Sequence, residues 1–364
     1  MQKMIYIFIY IDINIMMSYL ITYIKNYLIS RRLFIMPVNN NLEPVKLPME
    51  FRFGEEPDFE FVNDLENINV TLVDHTPWEN IVKYLPGYVN ATWSDEPGKH
   101  YDMKQTADDI EKAFTFKTLP SILETIRLTF RIEGISVQDV THLIRHRTFA
   151  FSAQCTGDRW LTHHTAVVPE SIQNSPEFYE RYKKLTYECR KLYQEMIDSK
   201  KISIMDARLI LNKNHDNFYY ASCNFKDLLG FIKQRIDRQI QPKSDNIIAY
   251  QMWLSVCRVY PIAHLNIIDF EMPSWHYIKN ARTGHATNLY FPEENSDIFE
   301  WNEKDFIYQA YREDINGTNP PEGPTVFQKM FDEYKKELES LATKSKKYME
   351  ELRGGKLNDK KFSV

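Results

Sequence analysis

The spacing of apolar residues divides the chain into short strands and amphipathic helices. Val70 to Val73 alternates as a half-buried strand does, and Trp78 to Tyr84 opens a helix. Pro97-Gly98 marks a turn, and Gln105 to Phe114 predicts a short helix. In Pro120-Ser121-Ile122-Leu123-Glu124, a serine with a glutamate three positions later predicts a capped helix carrying Ile122, Leu123, Ile126, Thr129 and Phe130 on one side. Ser136 and Asp139 repeat the device after Gly134; the apolar side of that helix is Val137, Val140, Leu143 and Ile144, and it ends at Arg145-His146-Arg147. Phe218 to Cys223 reads as an aromatic-rich strand. Asn224 with Asp227 then starts a helix to about Arg238. A polar loop with Pro242 leads to another helix, roughly Asn246 to Tyr260, which Pro261 stops.

The two ends differ from this middle. Residues 37 to 66 are rich in Pro, Asn and acids, and predict an extended arm. Met4 to Ile24 is almost wholly apolar, yet Asp12 and Asn14 fall near its middle and Lys25, Arg31 and Arg32 follow it. Without the small-residue cleavage site of a signal peptide, it reads as a stretch ahead of a start at Met36, in preference to a membrane anchor. Beyond Trp275 the chain has no clear period until Pro324. From there Phe327, Phe331, Tyr334, Leu338, Leu341, Tyr348 and Leu352 follow steps of four and three, Ser345 fills the one polar core position, and Gly354-Gly355 ends the pattern. Fewer than four heptads predict a terminal helix packed on its own domain, not a coiled coil. The expected division is an N-terminal extension over 1–66, a catalytic domain over 67–275, and a loop-rich extension ending in a helix over 276–364.

Composition narrows the function. With 45 basic and 50 acidic residues the net charge is -5, so nothing global draws nucleic acid or an anionic membrane to this surface, and any anion site is local. Cys155, Cys189, Cys223 and Cys257 form no CxxC pair, which predicts a reducing, cytoplasmic setting. The 11 glycines contain no GxGxxG, GxxxxGK[ST] or GxSxG, so a Rossmann site, a P-loop and a hydrolase elbow lack support. Bound phosphates must then be held by side chains, for which the arginine fork is suited. The adjacent His163 and His164 have no further ligand cluster beside them, and no metal is expected.

The strongest local signal is the run from Arg145-His146-Arg147 through Phe149, Gln154, Cys155 and Arg159 to Trp160. Taken alone, cations at a helix C-terminus stabilise the dipole by about 0.3 to 1 kcal/mol each. The run also resembles the signature of the flavin-dependent thymidylate synthases, in which RHR is followed after seven residues by a serine and then by an arginine and an aromatic. Seven residues separate Arg147 from Cys155. The resemblance extends to Val70-Thr-Leu-Val-Asp-His75, to Leu128 through Ser136, to Val168-Pro169-Glu170, and to Ala207-Arg208-Leu209 followed by Asn224 through Leu229 and Phe231-Ile232-Lys233-Gln234-Arg235. It covers roughly residues 68 to 262.

Arg235 has an independent case. It lies seven after Leu228, four after Phe231 and three after Ile232, so it projects from the apolar stripe of its helix and needs a partner there. It either snorkels off the edge, pairs with a buried carboxylate, or serves a ligand. Only its position relative to Asn224 and Arg235 lifts Arg208 above an ordinary edge residue.

The resemblance implies an α+β fold, with a mixed, mainly antiparallel sheet flanked by helices and the helical C-terminal extension added. It implies FAD as cofactor, methylenetetrahydrofolate and NADPH as co-substrates, a pyrimidine deoxynucleotide, dUMP, as substrate, and a homotetramer whose active sites draw on several subunits. Arg145, His146, Arg147 and Asn224 would contact FAD. His142, Cys155, Arg159 and Arg208 would bind the nucleotide, and Arg235 would face the pyrimidine carbonyls as the catalytic residue. Ala153 and Cys155 stand where the family has glutamate and serine, two residues are added before Arg159, Trp160 replaces a tyrosine, a histidine is missing near Thr125, and a loop over 239–245 is longer. These departures keep open a pyrimidine nucleotide hydroxymethylase on dUMP or dCMP and a catalytically silent nucleotide-binding homologue. Cys155 is either a small weak donor at the phosphate site or a reactive thiolate.

Overall fold

Alternation of inward and outward residues builds the central sheet. In the computed structural model, which describes residues 52–91, 102–154, 156, 159–236, 241–266 and 325–355, strand β1 (Phe61–Asn63) is followed by β2 (Asn69–His75) and the helices α1 (Trp78–Ala91) and α2 (Met103–Phe114). A 3-10 turn over Pro120–Thr125 leads into β3 (Arg127–Ser136), α3 (Val137–Leu143), β4 (Ala150–Ala153) and β5 (Ala166–Val168). Then come the short turn α4 (Glu170–Gln173), the long α5 (Pro176–Asp198), the turn α6 (Ile204–Ala207), β6 (Asp216–Asn224), α7 (Phe225–Arg235), α8 (Lys243–Val259) and α9 (Val326–Arg353). β2, β3, β6 and β4 form, in that order, an antiparallel four-stranded sheet, while β1 and β5 pair in parallel.

The helix expected to start at Ser121 is not formed. Pro120–Thr125 makes one 3-10 turn whose N-cap, Leu119, has no side-chain cap, and the chain then extends for ten residues. Leu128, Phe130 and Ile132 also satisfy a period of two, and they lie opposite Cys223, Ala221 and Tyr219 of β6. Each of these six is buried, so pairing with β2 and β6 outweighs the local cap signal. Gly134, at φ 73°, sits in the irregularity between Glu133 and Ile135; a Cβ there would come within 1.9 Å of the Asn67 carbonyl oxygen.

The other local signals hold. Ser136 and Asp139 form the reciprocal capping box, and Asn224 caps α7 by accepting from Asp227 N. The helix after Pro242 starts at Lys243, three residues earlier than expected, and α7 ends at Arg235. Within the arm, Phe61–Asn63 forms strand β1, and His163 accepts from Asp58 N at 2.9 Å.

Helix α8 is buried along nearly its whole length between the sheet and α9. Gln251 on α8 joins three elements, accepting from Val70 N, donating to Ile68 O and donating to Tyr334 Oη on α9. Trp78 Nε1 donates to Tyr348 Oη at 3.0 Å, and Arg353 pairs with Asp108 and Glu111 of α2. The terminal helix thus packs on its own domain, with Ser345 buried in its seam. Among the described residues no helix is long and apolar enough to cross a membrane. The apolar stretch Met4 to Ile24, the turn at Pro97-Gly98 and the region 276–324 lie outside the described residues.

Candidate functional site

Arg235 does not snorkel. Its side chain is 7% exposed and the carboxylate of Asp245, 0% exposed, lies 2.7 Å from Nη1. Nη1 also donates to Gln241 Oε1 at 2.7 Å, and Nε donates to His146 Nε2 at 2.9 Å. His142 Nδ1 stands 2.9 Å from the same Asp245 oxygen. Asn246 Nδ2 donates to Arg235 O at 2.6 Å and fixes the end of α7 against the start of α8. Nη2 makes none of the hydrogen bonds found among the described residues, so the fork presents one free edge. Of the partners open to Arg235 in the sequence, the buried carboxylate is the one the fold supplies.

Local structure explains this convergence. The capping box aims α3 so that its last turn, carrying His142, meets the last turn of α7. Asp139 accepts from Ser136 N and Oγ on one oxygen and from Ser244 Oγ, at 2.7 Å, on the other, which ties α3 to the first turn of α8 beside Asp245. Burial pushes the Asp139 carboxyl up despite these bonds. Burial pulls the His146 imidazole down to about 4, with the Arg235 guanidinium adding to the shift, so at neutral pH it is uncharged and accepts from Arg235. The His146 ring also packs edge-on against Phe231, with centroids 4.7 Å apart.

Next to this cluster, across Gln241 and Ser244, lies a cavity of roughly 630 Å³ that also presents Asp64, Asp139, Glu170 and Asn214. Burial, reinforced by the charge of Asp139, pushes the Asp64 carboxyl up to about 7. The sequence reading missed Gln241 and Asp245, which fall in what looks like a polar loop.

A second group forms at the other end of β4. With the Gln154 amide set so that its oxygen faces Arg159, the orientation that two guanidinium donors require, it accepts from Nε at 2.8 Å and from Nη1 at 3.1 Å, and Arg208 Nη1 donates to Thr156 Oγ1 at 3.2 Å. Trp160, in place of a tyrosine, anchors the segment: it is buried with Tyr193 and Ile197 in a small separate core and donates to Gln194 Oε1 at 2.6 Å. Cys155 lies outside the described residues. Phe149, stacked on Phe231 at 5.2 Å, marks the Arg235 end of the strand. The five residue steps from there to Gln154 span about 16 Å of extended chain. One chain therefore holds two arginine groups, not one.

The remaining candidates divide. Arg145 and Arg147 are exposed on the turn between α3 and β4 and donate none of the hydrogen bonds found among the described residues. Asn224 is committed to Asp227, accepting from its N and donating to Oδ2. Of the paired histidines, His163 Nε2 meets Glu55 and the buried His164 meets Asp216, so both hold local structure.

Comparison with known proteins bears on the family of the chain. The family model described as "Thymidylate synthase complementing protein" matches residues 71–262. A protein of Thermococcus onnurineus named flavin-dependent thymidylate synthase is 34% identical over 189 residues, covering 48% of this chain and 74% of that protein. Its namesake from Pyrococcus abyssi is 31% identical over 191 residues, covering 48% and 73%. Among solved structures, a UMP/dUMP methylase from Streptomyces cacaoi bound with 5-Br dUMP aligns with a TM-score of 0.49 and 21% identity, covering 57% of this chain and 96% of that one.

Proposed function

Given that the chain belongs to the flavin-dependent thymidylate synthases, we propose that it uses FAD to transfer a one-carbon unit from methylenetetrahydrofolate to dUMP, yielding dTMP with NADPH as reductant. The observation that carries the reading is the free edge of Arg235. A buried guanidinium with Nε and Nη1 fixed by His146, Gln241 and Asp245 leaves Nη2 preorganised to donate to a carbonyl oxygen. A pyrimidine ring offers such an oxygen. Because Asp245 balances the charge of Arg235, the site stabilises developing negative charge through a fixed donor and not through a bare cation.

FAD, when bound, supplies the hydride chemistry. The two exposed, uncommitted guanidiniums of Arg145 and Arg147 fit a pyrophosphate, as no glycine loop is there to do so. His146 serves the pyrimidine end of the site by holding Arg235. Arg159 and Arg208, flanking the segment at Thr156, are the reading's nucleotide-phosphate residues. That β4 runs between these two arginines and the Arg235 cluster favours a site in which one copy supplies the ring end and another the phosphate end, as a homotetramer allows.

Purified protein tests the flavin part directly. A yellow protein that bleaches on addition of NADPH, and an Arg145→Ala variant that takes up less FAD, are the expected results. Colourless protein that never takes up FAD would favour a silent nucleotide-binding homologue. A hydroxymethylase is the second reading, favoured by Thr125 standing where the family has a histidine.

A further inference from the structure

His142 and Asp245 form a carboxylate–imidazole pair with one face toward solvent. Asp245 is 0% exposed and the His142 side chain 34% exposed, with Oδ2 and Nδ1 2.9 Å apart. A carboxylate only accepts, so the proton of a neutral His142 sits on Nδ1 and Nε2 carries a lone pair. Arg235 Nη1 stands 3.3 Å from Nδ1 and 3.2 Å from Nε2. In the plane of the ring, near-equal distances to these two atoms would drive Nη1 into the ring carbons, so it lies over the ring face. Its protons go to Asp245 and Gln241. The in-plane lone pair of Nε2 is therefore uncommitted. Nε2 itself lies 3.2 Å from Nη1, at the same end of the arginine.

From this geometry, resting on the reading of the chain as a pyrimidine C5-alkylating enzyme, we infer that His142 is the general base that removes the proton from pyrimidine C5, with Asp245 as its positioning residue. Putting a carbon substituent on C5 in place of hydrogen requires that proton to leave. When C5 bears both the one-carbon unit and its hydrogen, the C5–H bond breaks and its proton passes to Nε2. The bonding pair moves into the adjacent carbonyl, forming an enolate whose oxygen accepts from Arg235 Nη2. The imidazolium is stabilised by Asp245 and returns its proton to water. Asp245 and Arg235 touch His142, and His146, one turn on, is itself held to Arg235; Asp139 and Arg145 lie three positions before and after it.

The test uses the FAD-loaded protein with dUMP carrying tritium at C5, methylenetetrahydrofolate and NADPH, with release of tritium to water and flavin bleaching followed separately. His142→Gln is expected to keep FAD and its bleaching while releasing tritium about 100-fold more slowly or worse. Asp245→Asn is expected to slow release as well. In nitrogen-15 spectra of labelled histidine, wild-type His142 is expected as the Nδ1–H tautomer and Asp245→Asn as a mixture. Undiminished release by His142→Gln, or an Nε2–H tautomer in the wild type, overturns the base assignment alone. A wild-type protein that bleaches with NADPH yet releases no tritium overturns the C5 chemistry and the base with it.

Discussion

Asp245 Oδ2 lies 2.7 Å from Arg235 Nη1, and both side chains are almost completely withdrawn from water. Removing one member of such a pair leaves the other charged and unpartnered, which costs about 3–5 kcal/mol. Asp245→Ala is therefore expected to lower the unfolding free energy by about that amount in urea titrations. The double variant Asp245→Ala/Arg235→Met should recover part of the loss, since it removes both charges together.

Acidity acts on the same cluster through His146. Its folded value of about 4 lies below the usual histidine value of 6.5, so between these the unfolded chain binds a proton that the folded chain refuses. Stability contributed by neutral His146 is present above about 6.5 and is lost as pH falls toward 4. Thermal melts of the wild type should show that decline, and His146→Gln, which can still accept from Arg235, should flatten it.

Asp64 works in the opposite sense. A carboxyl raised to about 7 holds a proton in the folded state that the unfolded chain releases near its ordinary value of 3.8. Its contribution is fullest below that value and fades as pH rises through 7. Asp64→Asn should thus stabilise the protein relative to wild type more at pH 8 than at pH 5, read as the difference in Tm.

Gly134→Ala is expected to destabilise the sheet by more than about 1 kcal/mol, because positive φ and the Asn67 carbonyl both oppose a Cβ. Denaturant midpoints measure the effect.

At the other end of β4, Arg208→Ala should weaken binding of dUMP about 10- to 100-fold, the worth of a charge-assisted hydrogen bond, while leaving deoxyuridine binding unchanged. Equal losses for nucleotide and nucleoside would remove Arg208 from the phosphate end.

Which of these features could be read from sequence follows from how local their causes are. The capping box at Ser136 and the N-cap at Asn224 are written within four residues each, and the helical position of Arg235 alone demands a partner. The partner itself, Asp245, is ten positions away in what reads as a polar loop, and becomes a buried first-turn residue only because α8 starts at Lys243. Pro120 to Phe130 carries both a helical cap and a strand period, and the choice between them is made by β2 and β6. Helix α5 escapes apolar spacing because Thr186, Arg190 and Gln194 are among the residues it buries. The separation of the arginines into two groups is a property of β4 in three dimensions, which spacing along the chain does not encode.

The most direct measurement of the central claim is the mass of the nucleotide formed from dUMP by the FAD-loaded protein with methylenetetrahydrofolate and NADPH, run beside dCMP. The account predicts dTMP, heavier than dUMP by one methylene group, and no change in dCMP. Unchanged dUMP under conditions in which the flavin turns over, or a product carrying an added hydroxymethyl group, would contradict it.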